Sequence, residues 1–190
     1  MSAEAEFRFD AEGHRYYLDG DEIPSLSSLL KQDGLVDTTF MTDEGRDRGT
    51  AVHSLCTTLD LGAELPPLAK AYRGYLAAYE ALLELFRPEW ECIEEAEVSR
   101  RWRFGCRPDR VGLVYGLPTI AELKTGGKEP WHAIQLALQA IAVSERTLLP
   151  PDRYQRIVIY LKDTGRYSVE IPKSPRDYDA ARALLKRHRP

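Results

Sequence analysis

Helical and strand-like patterns alternate along this chain, and the fold class they predict is α/β or α+β. Three observations carry that reading. Ala51, Val52, Leu55, Cys56 and Leu59 recur at helical spacing. Two runs of β-branched and large apolar residues meet at Tyr115-Gly116-Leu117. A further helical stretch, Trp131 to Val143, separates that pair from another apolar strand at Arg156 to Lys162.

Phe7 to Ile23 alternates as a β-hairpin does, with turns at Ala11-Glu12-Gly13 and at Asp19-Gly20. Pro24-Ser25 opens a short helix with Ser25 as its N-cap, because a serine oxygen accepts from a free N–H of the first turn. Asp33 to Asp43 reads as a loop. The helix that starts near Glu44 is broken between Asp60 and Pro67 by Gly62, Pro66 and Pro67. The longest helix is expected over about Leu68 to Phe86, with Tyr72, Tyr75, Leu76, Tyr79, Leu82, Leu83 and Phe86 on one stripe. Glu91 to Arg103 reads as a strand leading into a hairpin of Val111 to Tyr115 and Leu117 to Leu123. Gly165 to Ile171 pairs with the strand at Arg156 to Lys162, and Pro175 to His188 is the last helix. No repeat or linker interrupts the 190 residues, so residues 1–190 are expected to form one domain.

Composition narrows the classes. No apolar run reaches the length of a membrane span, and the first residues lack the basic start and apolar stretch of a signal peptide, so a cytoplasmic protein is expected. Cys56, Cys92 and Cys106 show no C-x-x-C spacing, which indicates neither a disulfide framework nor a zinc site. A net charge of −4 argues against nonspecific coating of DNA. A local basic rim is still available from Arg46, Arg48, Arg100, Arg101, Arg103, Arg107, Arg110 and the run Lys186 to Arg189.

Chemistry concentrates in the central hairpin. Asp109, Glu122 and Lys124 interrupt an otherwise apolar pattern, and a carboxylate within an apolar strand is costly unless it is paired or binds a metal. With a two-residue turn at Gly116-Leu117, position 109 falls opposite 124 and 111 opposite 122, so all three side chains share one face while Leu123 points to the other. Opposed Cβ atoms lie about 5 Å apart and diagonal ones about 7 Å, which leaves room for a divalent cation. An Asp109–Lys124 ion pair would serve packing instead. A turn with an odd number of residues would carry Asp109 to the wrong face.

The same residues resemble the PD-(D/E)XK nuclease signature: Pro108-Asp109, twelve residues, then Glu122-Leu123-Lys124. Arg48-Gly49-Thr-Ala-Val-His53 is similar to the G-x-x-x-H element of RecB-type and phage exonuclease-like members, and Gln135 to Gln139 resembles their Q-x-x-x-Y helix with glutamine in place of tyrosine. The opening hairpin and Pro-Ser helix start also look like those of phage-borne members. The likeness runs from about Phe7 to Lys162 and rests on the order of four weak motifs.

It implies a restriction-endonuclease-like α/β core, a central mixed β-sheet flanked by helices, with the N-terminal β-hairpin outside it. It implies Mg²⁺ or Mn²⁺, one or two ions, held by Asp109, Glu122, the Leu123 carbonyl, His53 and an acid of the preceding strand, Glu97 in preference to Glu95. Some relatives carry an iron–sulfur cluster on four cysteines; three cannot hold one. Lys124 would orient or deprotonate the attacking water or stabilise the transition state. Gln135, Gln139, Arg48, Arg107 and Lys128 would contact nucleic acid, Gln135 alternatively bracing the metal ligands, with Tyr160 standing in for the missing tyrosine and Trp131 and His132 near the entrance. The expected activity is DNA phosphodiester hydrolysis, in the form of an exonuclease of phage or mobile-element recombination and repair in a bacterial cell. The expected partners are DNA ends or single strands, and a homo-oligomer is implied as well because processive relatives form rings. An idle nucleic-acid-binding module keeps the fold and loses the enzyme. A sugar hydrolase with Asp109 and Glu122 as paired carboxylates needs no metal and leaves Lys124 and His53 without a task.

Overall fold

The computed structural model describes residues 6–36 and 42–188. Residues 37–41 of the expected loop lie outside them, as do residues 1–5 and 189–190. The chain is α/β, a mixed five-stranded sheet flanked by helices. Three short strands come first, β1 (Phe7–Asp10), β2 (Arg15–Leu18) and β3 (Asp21–Ile23), in an antiparallel sheet of their own. Helices α1 (Leu26–Gln32) and α2 (Asp43–Asp60) follow. Ser25 caps α1 by accepting from the Ser28 N–H, as the sequence predicts, and Thr42 caps α2 through the Gly45 N–H.

Where one long helix is expected, a 3₁₀ segment at Pro67–Tyr72 precedes α3 (Arg73–Phe86), and α2 is longer than α3. Gly74 in the first turn of α3 lets the helix meet a later segment of the chain, since a Cβ there would lie 1.6 Å from the Asp163 carbonyl oxygen. The expected strand from Glu91 to Arg103 is also split. β4 (Glu89–Ile93) joins the main sheet, whereas β5 (Glu97–Ser99) pairs with β6 (Phe104–Cys106) in a separate two-stranded sheet. The break is at Glu94, in the left-handed region at φ 51°.

Strands β7 (Arg110–Val114) and β8 (Leu117–Lys124) form the central hairpin, and α4 (Trp131–Thr147) leads to β9 (Gln155–Leu161), β10 (Tyr167–Glu170) and α5 (Arg176–Arg187). The order across the main sheet is β10-β9-β8-β7-β4, with β8 and β9 parallel and the other neighbours antiparallel. Val111, Ile120, Val158 and Tyr160 pack with α1, α4 and α5 on one face. Val114, Ala121, Leu123, Ile157 and Ile159 pack with α2 and α3 on the other. No helix among the described residues is long and apolar enough to cross a membrane.

The β7–β8 register differs from the expected one by two residues. Val114 pairs with Leu117 and Arg110 with Ala121, so the turn is Tyr115-Gly116, with φ of 52° and 73°. Positive φ at both positions marks the turn geometry that matches strand twist. Continuing the ladder by one residue sets Asp109 across from Glu122 rather than Lys124. Because the turn keeps an even number of residues, both acids stay on one face.

The N-terminal sheet is tied to this core by Gly105, whose N–H donates to the Pro24 carbonyl at 3.0 Å. A Cβ at Gly105 would come within 2.2 Å of the Tyr16 ring. Gly105→Ala is therefore expected to cost about 1–3 kcal/mol in urea denaturation. Gly126→Ala, where an added Cβ meets nothing within 4 Å, should stay within about 0.5 kcal/mol of wild type.

Candidate metal centre and catalytic groove

His53 stands on α2, Asp109 just before β7 and Glu94 at the break after β4, and all three reach the same end of the sheet. Each offers one donor atom, and these atoms lie within 4.8 Å of one another. His53 is fixed from two sides. Its Nδ1 lies 3.3 Å from Asp109 Oδ1 and its Nε2 2.9 Å from the Leu123 carbonyl oxygen. That carbonyl, expected as a ligand, instead accepts from His53 Nε2. A carbonyl partner on one imidazole nitrogen fixes the tautomer and aims the other nitrogen at the carboxylates. Asp109 also accepts the Leu123 N–H through Oδ2 at 2.7 Å.

Glu122 lies outside the three-donor group, contrary to expectation, because both of its oxygens turn toward polar partners. Lys124 Nζ donates to Oε2 at 2.9 Å and Gln139 Nε2 to Oε1 at 2.5 Å. Lys124 donates as well to Gln135 Oε1 at 3.1 Å. Gln135 and Gln139, one turn apart on α4, thus face the acids rather than solvent. Glu97 corrects a second expectation, since it is buried and paired with Arg146 at 2.7 Å. The acid that approaches His53 and Asp109 is Glu94, three residues earlier. A positive φ on a glutamate leaves no mark in a strand pattern, so Glu94 was not legible beforehand.

Burial and charge set the protonation states. Burial opposes ionisation of Asp109, but His53, Lys124 and the Leu123 N–H hold its pKa below the ordinary carboxylate value. Burial and the Asp109 charge push Glu122 up, with Lys124 and Gln139 offsetting part of the rise. Burial alone would lower His53, yet Asp109 and Glu122 lift it to about 9. Lys124 is raised too, because Glu122 and Asp109 outweigh its desolvation. His132 is the opposite case. Buried beside Lys124, it falls to about 4, and its Nδ1 lies 2.9 Å from the Tyr160 hydroxyl. Tyr160 is fully buried and donates to Glu170, so it is no free phosphate contact.

Two connected cavities open along the centre. One of about 610 Å³ is lined by Gly49, His53, Thr57, Glu94 and Arg107. The next, about 400 Å³, shares Gly49 and His53 and continues past Arg46, Arg48, Lys124 and Trp131. A methyl at Gly49 would lie 3.8 Å from Thr125 Oγ1, an ordinary contact, so the helix does not need glycine to approach the sheet. The bare position widens the groove instead.

No family model and no curated protein matches this chain.

The expected basic residues divide. Arg48 lines the second cavity with its Nε buried and unpartnered among the described residues. Arg107 lines the first but clamps Glu94, donating from Nε to its carbonyl at 2.6 Å and pairing with its carboxylate at 2.9 Å. Lys128 pairs with Glu170 at 2.6 Å. Arg110, expected on the rim, is wholly buried and donates to Asp60, Thr57 and the Asp109 carbonyl.

A folded-state pKa of about 9 for His53, against 6.5 for an exposed histidine, means the folded protein holds a proton that the unfolded chain releases earlier. The stabilisation is complete below pH 6.5 and is lost as pH rises through 9. In EDTA, wild type should lose up to about 3 kcal/mol relative to His53→Gln between those limits, read from urea denaturation at each pH.

Proposed function

We propose that this protein is a Mg²⁺- or Mn²⁺-dependent deoxyribonuclease of the PD-(D/E)XK type, built on a restriction-endonuclease-like core. Its reaction is phosphodiester hydrolysis, in the form of an exonuclease acting on ends or single strands in recombination or repair. The observation that carries this reading is the convergence of Asp109, Glu122 and Lys124 at one end of β7 and β8, with His53 and Glu94 completing a donor set inside a groove.

The residues present fit a divalent cation. Donors about 2.1 Å from a common octahedral ion lie about 3–4 Å apart, so His53, Glu94 and Asp109, whose donor atoms lie within 4.8 Å of one another, would close on one by side-chain adjustment. One imidazole with two carboxylates suits Mn²⁺, and the carboxylates suit Mg²⁺. When bound, the cation supplies Lewis-acid polarisation of the phosphoryl oxygen and acidifies water.

The chain's own groups supply the rest. Lys124, whose raised pKa keeps it protonated at neutral pH, donates to the negative charge that grows on the phosphoryl oxygens and is no base in its resting state. Glu122 is the proton acceptor, because its raised pKa makes it the more basic of the two buried acids and each oxygen keeps a lone pair beyond those given to Lys124 and Gln139. Attack of water on phosphorus passes a proton to Glu122 as the P–O bond to the leaving oxygen breaks, and that oxygen departs as an alkoxide that takes a proton from solvent water. Arg46 and Arg48 line the path for neighbouring phosphates.

Wild type should degrade linear DNA with Mn²⁺ or Mg²⁺ and stop in EDTA. Asp109→Ala and Glu122→Ala should each lose at least a factor of about a hundred in rate with an unchanged circular dichroism spectrum. Full activity of either variant in a clean preparation would defeat the site assignment; nicking of closed circles would make the enzyme an endonuclease. Cation uptake also displaces the His53 proton. Calorimetric titration of Mn²⁺ near neutral pH, in two buffers of different ionisation enthalpy, should read about one proton released per ion, and none in His53→Asn.

A further inference from the structure

The cavity of about 400 Å³ beside His53 has two walls of different chemistry, and the proposed hydrolysis uses one of them. The α2 wall carries Arg46, Arg48 and Gly49, and Lys124 stands between the walls at the end of β8. The other wall runs from the loop after β8 into the first turn of α4, through Gly126, Gly127, Glu129, Trp131 and His132. No cation lines this second wall among the described residues. Lys128, in the same loop, is paired with Glu170. Burial and the Lys124 charge keep His132 neutral near pH 7, and a carboxylate at Glu129 repels phosphate. The wall is therefore unsuited to the backbone of a nucleic acid.

What it offers is an indole beside bare backbone. Trp131 is half-buried, and the surface it keeps lines the cavity. A Cβ at Gly126 or Gly127 would meet nothing within 4 Å, so the space along the loop is open. The indole itself is held in place. The His132 ring lies nearly perpendicular to it at 4.2 Å between centroids, and His132 Nδ1 is in turn 2.9 Å from the Tyr160 hydroxyl. Lys124 Nζ, which donates to Glu122, lies 5.4 Å from the indole centroid. Trp131 thus adjoins the reacting groups without bonding any of the acids.

A fixed, partly exposed aromatic ring facing a row of cations suits a single strand, whose backbone follows the charges while a base packs on the ring. Such packing tolerates any sequence, because every base has a π-face. We propose that this wall is a base-stacking site for single-stranded DNA. The base of a nucleotide next to the scissile phosphate lies on the open surface of Trp131, and the phosphates of that strand pass Arg46 and Arg48. A base still paired within a duplex is not free to turn to the indole, so the site favours unpaired strands. The place of the stacked base relative to cleavage rests on the nuclease reading; the binding itself can be tested apart from it.

Fluorescence anisotropy in EDTA reads binding without cation or cleavage. The probes are labelled oligo(dT) and an abasic strand of equal length, which keeps the phosphates and lacks the bases. Wild type is expected to hold oligo(dT) about tenfold more tightly than the abasic strand, and its tryptophan emission to fall with oligo(dT) alone. Trp131→Leu, which keeps an apolar side chain against the core, should lose both the difference and the quenching while its affinity for the abasic strand is unchanged. Trp131→Phe, which keeps a smaller ring, should retain part of the difference. An equal loss on both strands in Trp131→Leu would leave the indole a packing role only and overturn the stacking site. Equal binding of the two strands by wild type, or no binding of oligo(dT), would overturn it as well. Rates with Mn²⁺ test the nuclease reading separately. Cleavage of oligo(dT) without a base-dependent affinity removes the stacking site and leaves the nuclease, and base-dependent affinity without cleavage of any strand does the reverse.

Discussion

The candidate centre hangs on a single buried guanidinium. Arg110 is fully enclosed and divides its N–H groups between α2 and its own segment: Nε to Asp60 at 2.6 Å and Nη2 to Thr57 at 3.2 Å on α2, and Nη1 to the Asp109 carbonyl at 2.6 Å. Asp60 accepts in addition from Tyr79 of α3. Thr57 lies one turn from His53 on α2, and its hydroxyl donates to Glu94 at 3.3 Å. One side chain therefore relates all three donor residues: Asp109 through its backbone, Glu94 through Thr57, and His53 through the helix that Asp60 and Thr57 share. A buried charge of this kind is tolerated only when every N–H is used, and its loss would strand Asp60 without a counter-charge. The network is better explained by precision of placement than by stability, since apolar residues of like volume can stabilise a core as well as an ion pair does.

Placement then creates the division between the two central acids. Asp109 and Glu122 face each other across the β7–β8 ladder, and two buried carboxylates that close do not ionise with equal ease. Asp109 has His53, Lys124 and a backbone N–H and is held down; Glu122 has Lys124 and Gln139 and is pushed up. One hairpin thereby yields an acid suited to a cation and another suited to a proton. The rigidity of the paired strands keeps that difference fixed, which loops would not.

Much of this was legible because strand geometry has so few degrees of freedom. The turn was expected at Gly116-Leu117 and lies at Tyr115-Gly116, yet the faces of Asp109, Glu122 and Leu123 came out as expected because a shift of two preserves parity. The capping serine and the place of His53 one turn after Gly49 followed from local patterns, whereas the glutamines, expected from the resemblance at the nucleic acid, bond Lys124 and Glu122 instead. The misses share a different character. Glu94 depends on a left-handed residue that ends one strand and begins another, Arg110 on a distant aspartate, and the division of Glu91 to Arg103 into two sheets on where β6 finds a partner. Each is decided by tertiary contacts between segments far apart in sequence, which periodicity does not encode.

The acidic balance of the chain bears on how such a groove would hold a polyanion. With a net charge of −4, the molecule as a whole offers DNA no long-range attraction. Several cations near the site are also committed internally: Arg107 to Glu94, Arg110 to Asp60 and Lys128 to Glu170. Arg46 and Lys124 line the cavity that adjoins His53 but pair with Asp43 and Glu122, and Arg48 lines it with its Nε unpartnered among the described residues. Under the proposed function, a strand threaded past that cavity would meet Arg46, Arg48 and Lys124 at short range. Affinity and chemistry would then depend on the same few ångströms of groove.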